Sequence, residues 1–100
     1  MLAAFGPGAG ADQLRGNLAL RLDLVGETEK WFRTGLDWAE RERCPVEQGR
    51  NLQGLAEVAE RRREQQQAME HLDRAGQLFS HYGAKLYLDQ VLAKKQILKA

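Results

Sequence analysis

The chain has a single cysteine, Cys44, so no disulfide can form within it and a disulfide-stapled fold is excluded. It has no run of about 18 or more apolar residues, so no transmembrane helix is expected. Neither sign of charge dominates: 15 basic against 14 acidic side chains leave a formal net charge of +1. Binding to nucleic acid draws on clustered positive charge, and nucleic acid is therefore not an expected partner. No segment alternates apolar and polar residues for long enough to suggest a strand. There is no GxGxxG, no phosphate-cradling loop after a strand and no HExxH. The opening MLAAFGPGAG lacks the basic leader and long apolar core of a signal peptide. With the lone thiol, this points to a reducing, cytoplasmic setting.

What the chain does have is helical periodicity. One hundred residues, 43% of them hydrophobic and 29% charged, make one domain with a modest core. Gly6, Pro7, Gly8 and Gly10 mark residues 1–11 as a flexible arm, ahead of a helical domain over 12–100. The clearest segment is 65–82. There Ala68, Leu72, Ala75, Phe79 and Tyr82 recur at steps of four and three along one helical face. Small residues on that face let a neighbouring helix approach, and large ones fill the space beside it.

Five helices are expected, over about 12–25, 28–43, 46–62, 66–82 and 84–98. Asp12 caps the first, whose stripe is Leu14, Leu18, Leu22 and Val25, and Gly26 ends it. The second carries Trp31, Phe32, Gly35, Leu36, Trp38 and Ala39. Pro45 suits the first turn of the third, whose apolar face is Leu52, Leu55, Ala56 and Ala59. The junction at Arg63-Glu64-Gln65 has no glycine, so one long helix over 47–82 is the rival. Ala68 follows Ala59 by nine positions, however, a gap that favours a break. Gly83 ends the fourth helix, and the fifth presents Leu88, Val91, Leu92, Lys95 and Leu98. Short loops make consecutive helices antiparallel.

A shift of 40 residues sets Phe32 over Leu72, Gly35 over Ala75 and Trp38-Ala39 over Leu78-Phe79. A helix-pair period of this kind is the mark of a helical solenoid. Leu52, Leu55, Ala56 and Ala59, followed by Ala68, Leu72 and Ala75, resemble the two helices of a tetratricopeptide repeat. Leu52 stands where that family usually has tryptophan, Ala56 where it has glycine, Ala59 where it has tyrosine and Leu72 where it has an aromatic. Ser80 stands where proline is common. The pairs look longer than the family's period of about 34 residues. The stretch from Asn51 to Val91 looks more specifically like divergent repeats at the C-terminal ends of large bacterial signalling ATPases and transcriptional regulators. The resemblance implies an all-α fold of antiparallel helix pairs in a right-handed superhelix. It also implies a protein-binding, regulatory or signalling role without a catalytic step. No ATPase, cyclase or DNA-binding motif accompanies it.

Repeat geometry puts the first helix of each pair on the concave side. Helical phase then makes Arg50, Gln53, Glu57 and Arg61 the partner-facing positions, with Asn17 and Arg21 as their counterparts on the first helix. The partner class is protein or peptide, with no cofactor and no metal. The alternative is a homo-oligomerisation domain that pairs through Leu88, Val91, Leu92 and Leu98 of its last helix. The third reading is a small enzyme using Cys44 or a histidine. His71 and His81 are ten residues apart, an offset that does not suit one shared metal. A reactive Cys44 needs a basic neighbour that sequence cannot supply. Arg61-Arg62-Arg63 and Lys94, Lys95 and Lys99 fall at helix C-termini, where cations complement the helix dipole.

Overall fold

The computed structural model describes residues 15–17 and 25–99. Among them the fold is all-α. Four helices follow in order: α1 Val25–Arg41, α2 Pro45–Arg61, α3 Gln65–His81 and α4 Lys85–Lys99. Residues 15–17 are also helical. The rest of the expected first helix, and the expected N-terminal arm, lie outside the described residues. The next helix is already formed at Val25 and takes in Gly26, the residue expected to end the first helix.

The helices start every 20 residues, so a helix pair repeats every 40. The turns between them are three copies of one device. Cys44, Glu64 and Ala84 each donate a backbone N–H, at 2.8 Å, to the carbonyl five residues earlier, of Ala39, Ala59 and Phe79. The residue before each donor has positive φ: Arg43 at 55°, Arg63 at 61° and Gly83 at 71°. This is the Schellman ending, in which a left-handed residue folds the chain back onto the last open carbonyls. Cys44 and Glu64 then serve as the N-cap residues of the next helix. One three-residue turn thus stops one helix and starts its antiparallel neighbour. The break expected near 63–65 exists, and it forms without a glycine.

An L-residue held in the left-handed region costs on the order of 1 kcal/mol, and glycine avoids that cost. Arg63→Gly is therefore expected to raise the unfolding free energy by about 1 kcal/mol in a urea titration. Gly83→Ala is expected to lower it by about as much, although nothing lies near enough to clash with the added methyl group.

The main contacts among the described helices run between consecutive ones. α1 and α3 form one layer, linked by Arg74–Glu40 at 3.8 Å. α2 and α4 form the other, with Asn17 lining the same groove beside Gly54 of α2 and Tyr87 and Gln90 of α4. The core holds Phe32, Leu36, Leu52, Leu55, Ala56, Val58, Leu72, Ala75, Phe79 and Val91. Two phenylalanines from the first layer wedge into the second. Phe32 lies against Gly16 and Gly54, and Phe79 against Gly49, at distances that leave no room for a Cβ at those glycines. Phe79 also meets the Tyr87 ring, with centroids 5.3 Å apart.

The aromatic residues of the expected apolar faces divide between core and surface. Trp31 and Trp38 are only half-buried, and Trp31 lies under the Arg15 guanidinium at 4.7 Å. Phe32 takes the central position between them. Tyr82 does not join the seam between α3 and α4, because α3 stops at His81 and Tyr82 becomes its exposed C-cap.

Candidate functional site: a groove across α2 and α4

The sequence of α2 requires it to bury most of its circumference. Leu52, Leu55, Ala56, Val58 and Ala59 are inside, and so are Gly49, Asn51 and Gly54. The face left over carries Arg50, Gln53 and Glu57. α4 lies beside that face and adds Tyr87 and Gln90, and Asn17 closes the far side. Together these residues line an open groove of about 330 Å³.

The polar groups of the groove are held in place. Arg50 lies over the Tyr87 ring at 5.2 Å, a cation–π distance. Its Nη1 also reaches Glu47 Oε1 at 3.4 Å. Gln53 Nε2 donates to Gln90 Oε1 at 3.2 Å, from one helix to the other. Lys94 Nζ reaches Glu57 at 3.3 Å and Glu60 at 3.1 Å. Burial by itself lowers the affinity of the Lys94 ammonium for its proton. The hydrogen bond to Glu60 and the attraction of Glu57 outweigh this and hold its pKa above the ordinary lysine value.

Of the six partner-facing residues expected from helical phase, Asn17, Arg50, Gln53 and Glu57 line this one groove. Arg61 is exposed at the end of α2 and does not line it. Arg21 lies outside the described residues. Sequence reasoning missed Tyr87 and Gln90. They follow from the 40-residue period once α4 is recognised as the counterpart of α2.

The proposed oligomer surface is rearranged. Val91 is 1% exposed and belongs to the core, so it cannot serve as a contact between copies. Leu88 and Leu98 are half-buried against that core. Leu92 is exposed. The large apolar groups that α4 does present are Leu86 and Ile97, eleven residues apart on one helical face, together with Leu92 on another.

No family model, curated protein or solved structure matches the chain.

The other candidate groups occupy separate places among the described residues. Cys44 is half-buried in the α1–α2 turn, and its Sγ contacts the Glu42 carbonyl at 3.6 Å. Among the described residues no three metal-ligating side chains gather. Nor is any described helix long and apolar enough to cross a membrane. His81 packs edge-on against Tyr82 at the exposed end of α3.

His71 lies on the other layer, in a charged depression with Glu29, Arg33, Arg62 and Glu70. Glu29 accepts from Arg62 at 2.9 Å and from Arg33 at 3.2 Å. The Arg62 hydrogen bond is the main cause of a pKa below the usual carboxylate value. Burial, followed by the charges of Arg33 and Arg74, pushes the His71 pKa below its ordinary 6.5, against the opposing pull of Glu70 and Glu29. The unfolded chain therefore binds the His71 proton first on acidification. The His71 contribution to stability is intact above pH 6.5 and is lost as the pH falls from there towards the folded pKa. Denaturant titrations across this window should show a smaller loss for His71→Gln than for the parent chain. An equal loss in both would assign the effect to other groups.

Proposed function

We propose that the chain is a non-catalytic, tetratricopeptide-like helical module that holds another protein or a peptide in the groove across α2 and α4. Its setting on this reading is a cytoplasmic regulatory or signalling protein. The observation that carries the reading is the gathering of Asn17, Arg50, Gln53, Glu57, Tyr87 and Gln90 in one groove. Apart from Tyr87, which packs partly against the core, none of these side chains is needed to fill it. Support for the repeat architecture comes from the 20-residue helix step and the sequential helix contacts. The step makes each pair longer than the family's usual repeat of about 34 residues, as the sequence spacing had suggested.

The test is a selection of displayed protein fragments on the chain, followed by affinity measurement for each binder. Arg50→Ala combined with Glu57→Ala should weaken binding at least tenfold while circular dichroism stays unchanged. Binders that ignore this change and respond instead to changes on α1 and α3 would move the site to the other layer. A selection that enriches nothing would overturn the module reading.

A second reading is supported by α4 itself. Leu86 is 69% exposed and Ile97 65%, with the exposed Ala93 between them on the same face. Such a stripe could pair with its own copy in an isologous dimer. Sedimentation velocity across a range of concentrations should then show a dimer that Leu86→Ser with Ile97→Ser dissolves. A monomer throughout would end this reading.

A further inference from the structure

Beneath the groove, α2 and α4 do not close completely. Between them is a cleft of about 220 Å³, lined by Gln53, Ala56, Glu57, Leu72, Gln90 and Lys94. Leu72 and Ala56 are core residues, 2% and 3% exposed, so the floor is apolar. The Lys94–Glu57 ion pair stands among its walls. Gln53 and Gln90 line both this cleft and the groove above it. Their mutual hydrogen bond therefore spans the boundary between a recess with an apolar floor and a polar surface channel.

We infer that this cleft takes one apolar side chain, of leucine, isoleucine or methionine size, from an extended peptide whose backbone is held by the Gln53–Gln90 carboxamides. The inference rests on the groove reading above and gives it a ligand chemistry. The volume sets the size of the anchor. An apolar cavity of about 150 Å³ admits a benzene ring, so a recess somewhat larger admits a branched or unbranched aliphatic side chain. It does not admit an α-helix, which is about 10 Å across. The amide orientations set the rest. Because Gln53 donates through Nε2 and Gln90 accepts through Oε1, Gln53 Oε1 and Gln90 Nε2 remain as an acceptor and a donor. A peptide group offers the complementary N–H and C=O. A side chain entering the cleft thus brings its own backbone amide to the pair that borders the cleft. The anchor removes apolar area from water, and the carboxamides replace the water that the peptide group gives up.

The test uses the whole chain, labelled with ¹⁵N, and acetylated, amidated heptapeptides of sequence Gly-Ser-Ala-X-Ala-Ser-Gly. Peptides with X as leucine, isoleucine or methionine should shift the side-chain amide signals of Gln53 and Gln90 and the backbone amide of Ala56. Peptides with X as alanine, aspartate or lysine should bind at least tenfold more weakly. Gln53→Ala and Gln90→Ala, both surface changes, should each weaken the leucine peptide by a similar factor. Shifts that map to the α1–α3 layer, or that do not depend on X, would overturn the cleft as anchor site and leave a protein-binding module in place. No shift with any peptide would overturn the inference as well, and fragment selection would then decide the wider reading independently.

Discussion

Gly54→Ala and Gly49→Ala are expected to destabilise the chain by about 1–3 kcal/mol each, although both lie inside a helix. Helix propensity alone argues the other way, since alanine is favoured over glycine by about 1 kcal/mol. Packing reverses the sign here. A Cβ at Gly54 falls within 3.0 Å of the Phe32 ring, and one at Gly49 within 3.0 Å of the Phe79 ring. Both rings are 0% exposed, so neither can move aside without disturbing the helices around it. For a chain of this size each kcal/mol lowers the melting temperature by roughly 4–8 °C, which differential scanning calorimetry resolves easily. Gly76→Ala is the internal control. There the nearest atom is a Val91 methyl at 3.4 Å, an ordinary contact, and the propensity gain should appear as a small rise in stability. Adding Phe32→Leu to Gly54→Ala should recover part of the loss, because the smaller side chain makes room for the methyl group. A stabilising Gly54→Ala would mean that α1 and α2 do not approach as closely as described.

These glycines also show where the sequence could be read and where it could not. The faces of α2 and α3 were legible because Leu52, Leu55, Ala56 and Ala59, and Ala68, Leu72, Ala75 and Phe79, keep helical spacing and are apolar. All of them are buried. Gly49, Gly54 and Asn51 gave no such signal. Their burial follows from two neighbours meeting α2 at once, a tertiary fact that hydrophobic periodicity does not carry. Asn51 is 3% exposed, its Nδ2 bonded to the Glu47 carbonyl at 2.8 Å and its Oδ1 pressed against Gly35. The exposed tip at Tyr82 was misread for the opposite reason. Its spacing fits the α3 face, but the turn that places Gly83 at positive φ ends the helix one residue before it. The turn at Arg63 was legible only through the gap in the apolar pattern, since arginine in the left-handed region has no sequence signature. On the groove side, Arg50, Gln53 and Glu57 could be found because they are what remains of α2 once its apolar positions are assigned. Tyr87 and Gln90 needed the repeat phase, and the cleft needed the tertiary packing, because its floor joins Ala56 of α2 to Leu72 of α3 and its walls come from α2 and α4.

Val91→Asp is expected to release α4 from the domain and leave α1 to α3 folded. Val91 is the one fully buried residue of α4. Leu88, Tyr87 and Leu98 are partly buried against the core. Much of the remaining attachment is polar: Lys94 to Glu57 and Glu60, Lys95 to Asp73 at 2.6 Å, and Gln65 to the Leu98 carbonyl at 2.6 Å. Partly exposed ion pairs of this kind are worth little each, about 0–1 kcal/mol. A carboxylate at position 91 without a partner costs several kcal/mol if it stays buried, more than the polar contacts supply. The helix has 15 residues, a length at which an isolated helix is marginal in water, so undocking and unfolding of α4 coincide. Contacts run mainly between consecutive helices, and for that reason the loss should stop at α3. Hydrogen exchange is the measurement. Amides of residues 88–98 should lose protection, while those in the middle of α1 and α2 keep most of theirs. Leu92→Asp, at an exposed position of the same helix, should change stability by no more than about 0.5 kcal/mol. Global loss of protection in the Val91 variant would show that α4 is an integral part of one cooperative core. Selective loss would also remove one wall of the groove and of the cleft, so peptide binding should disappear while most of the helix content remains.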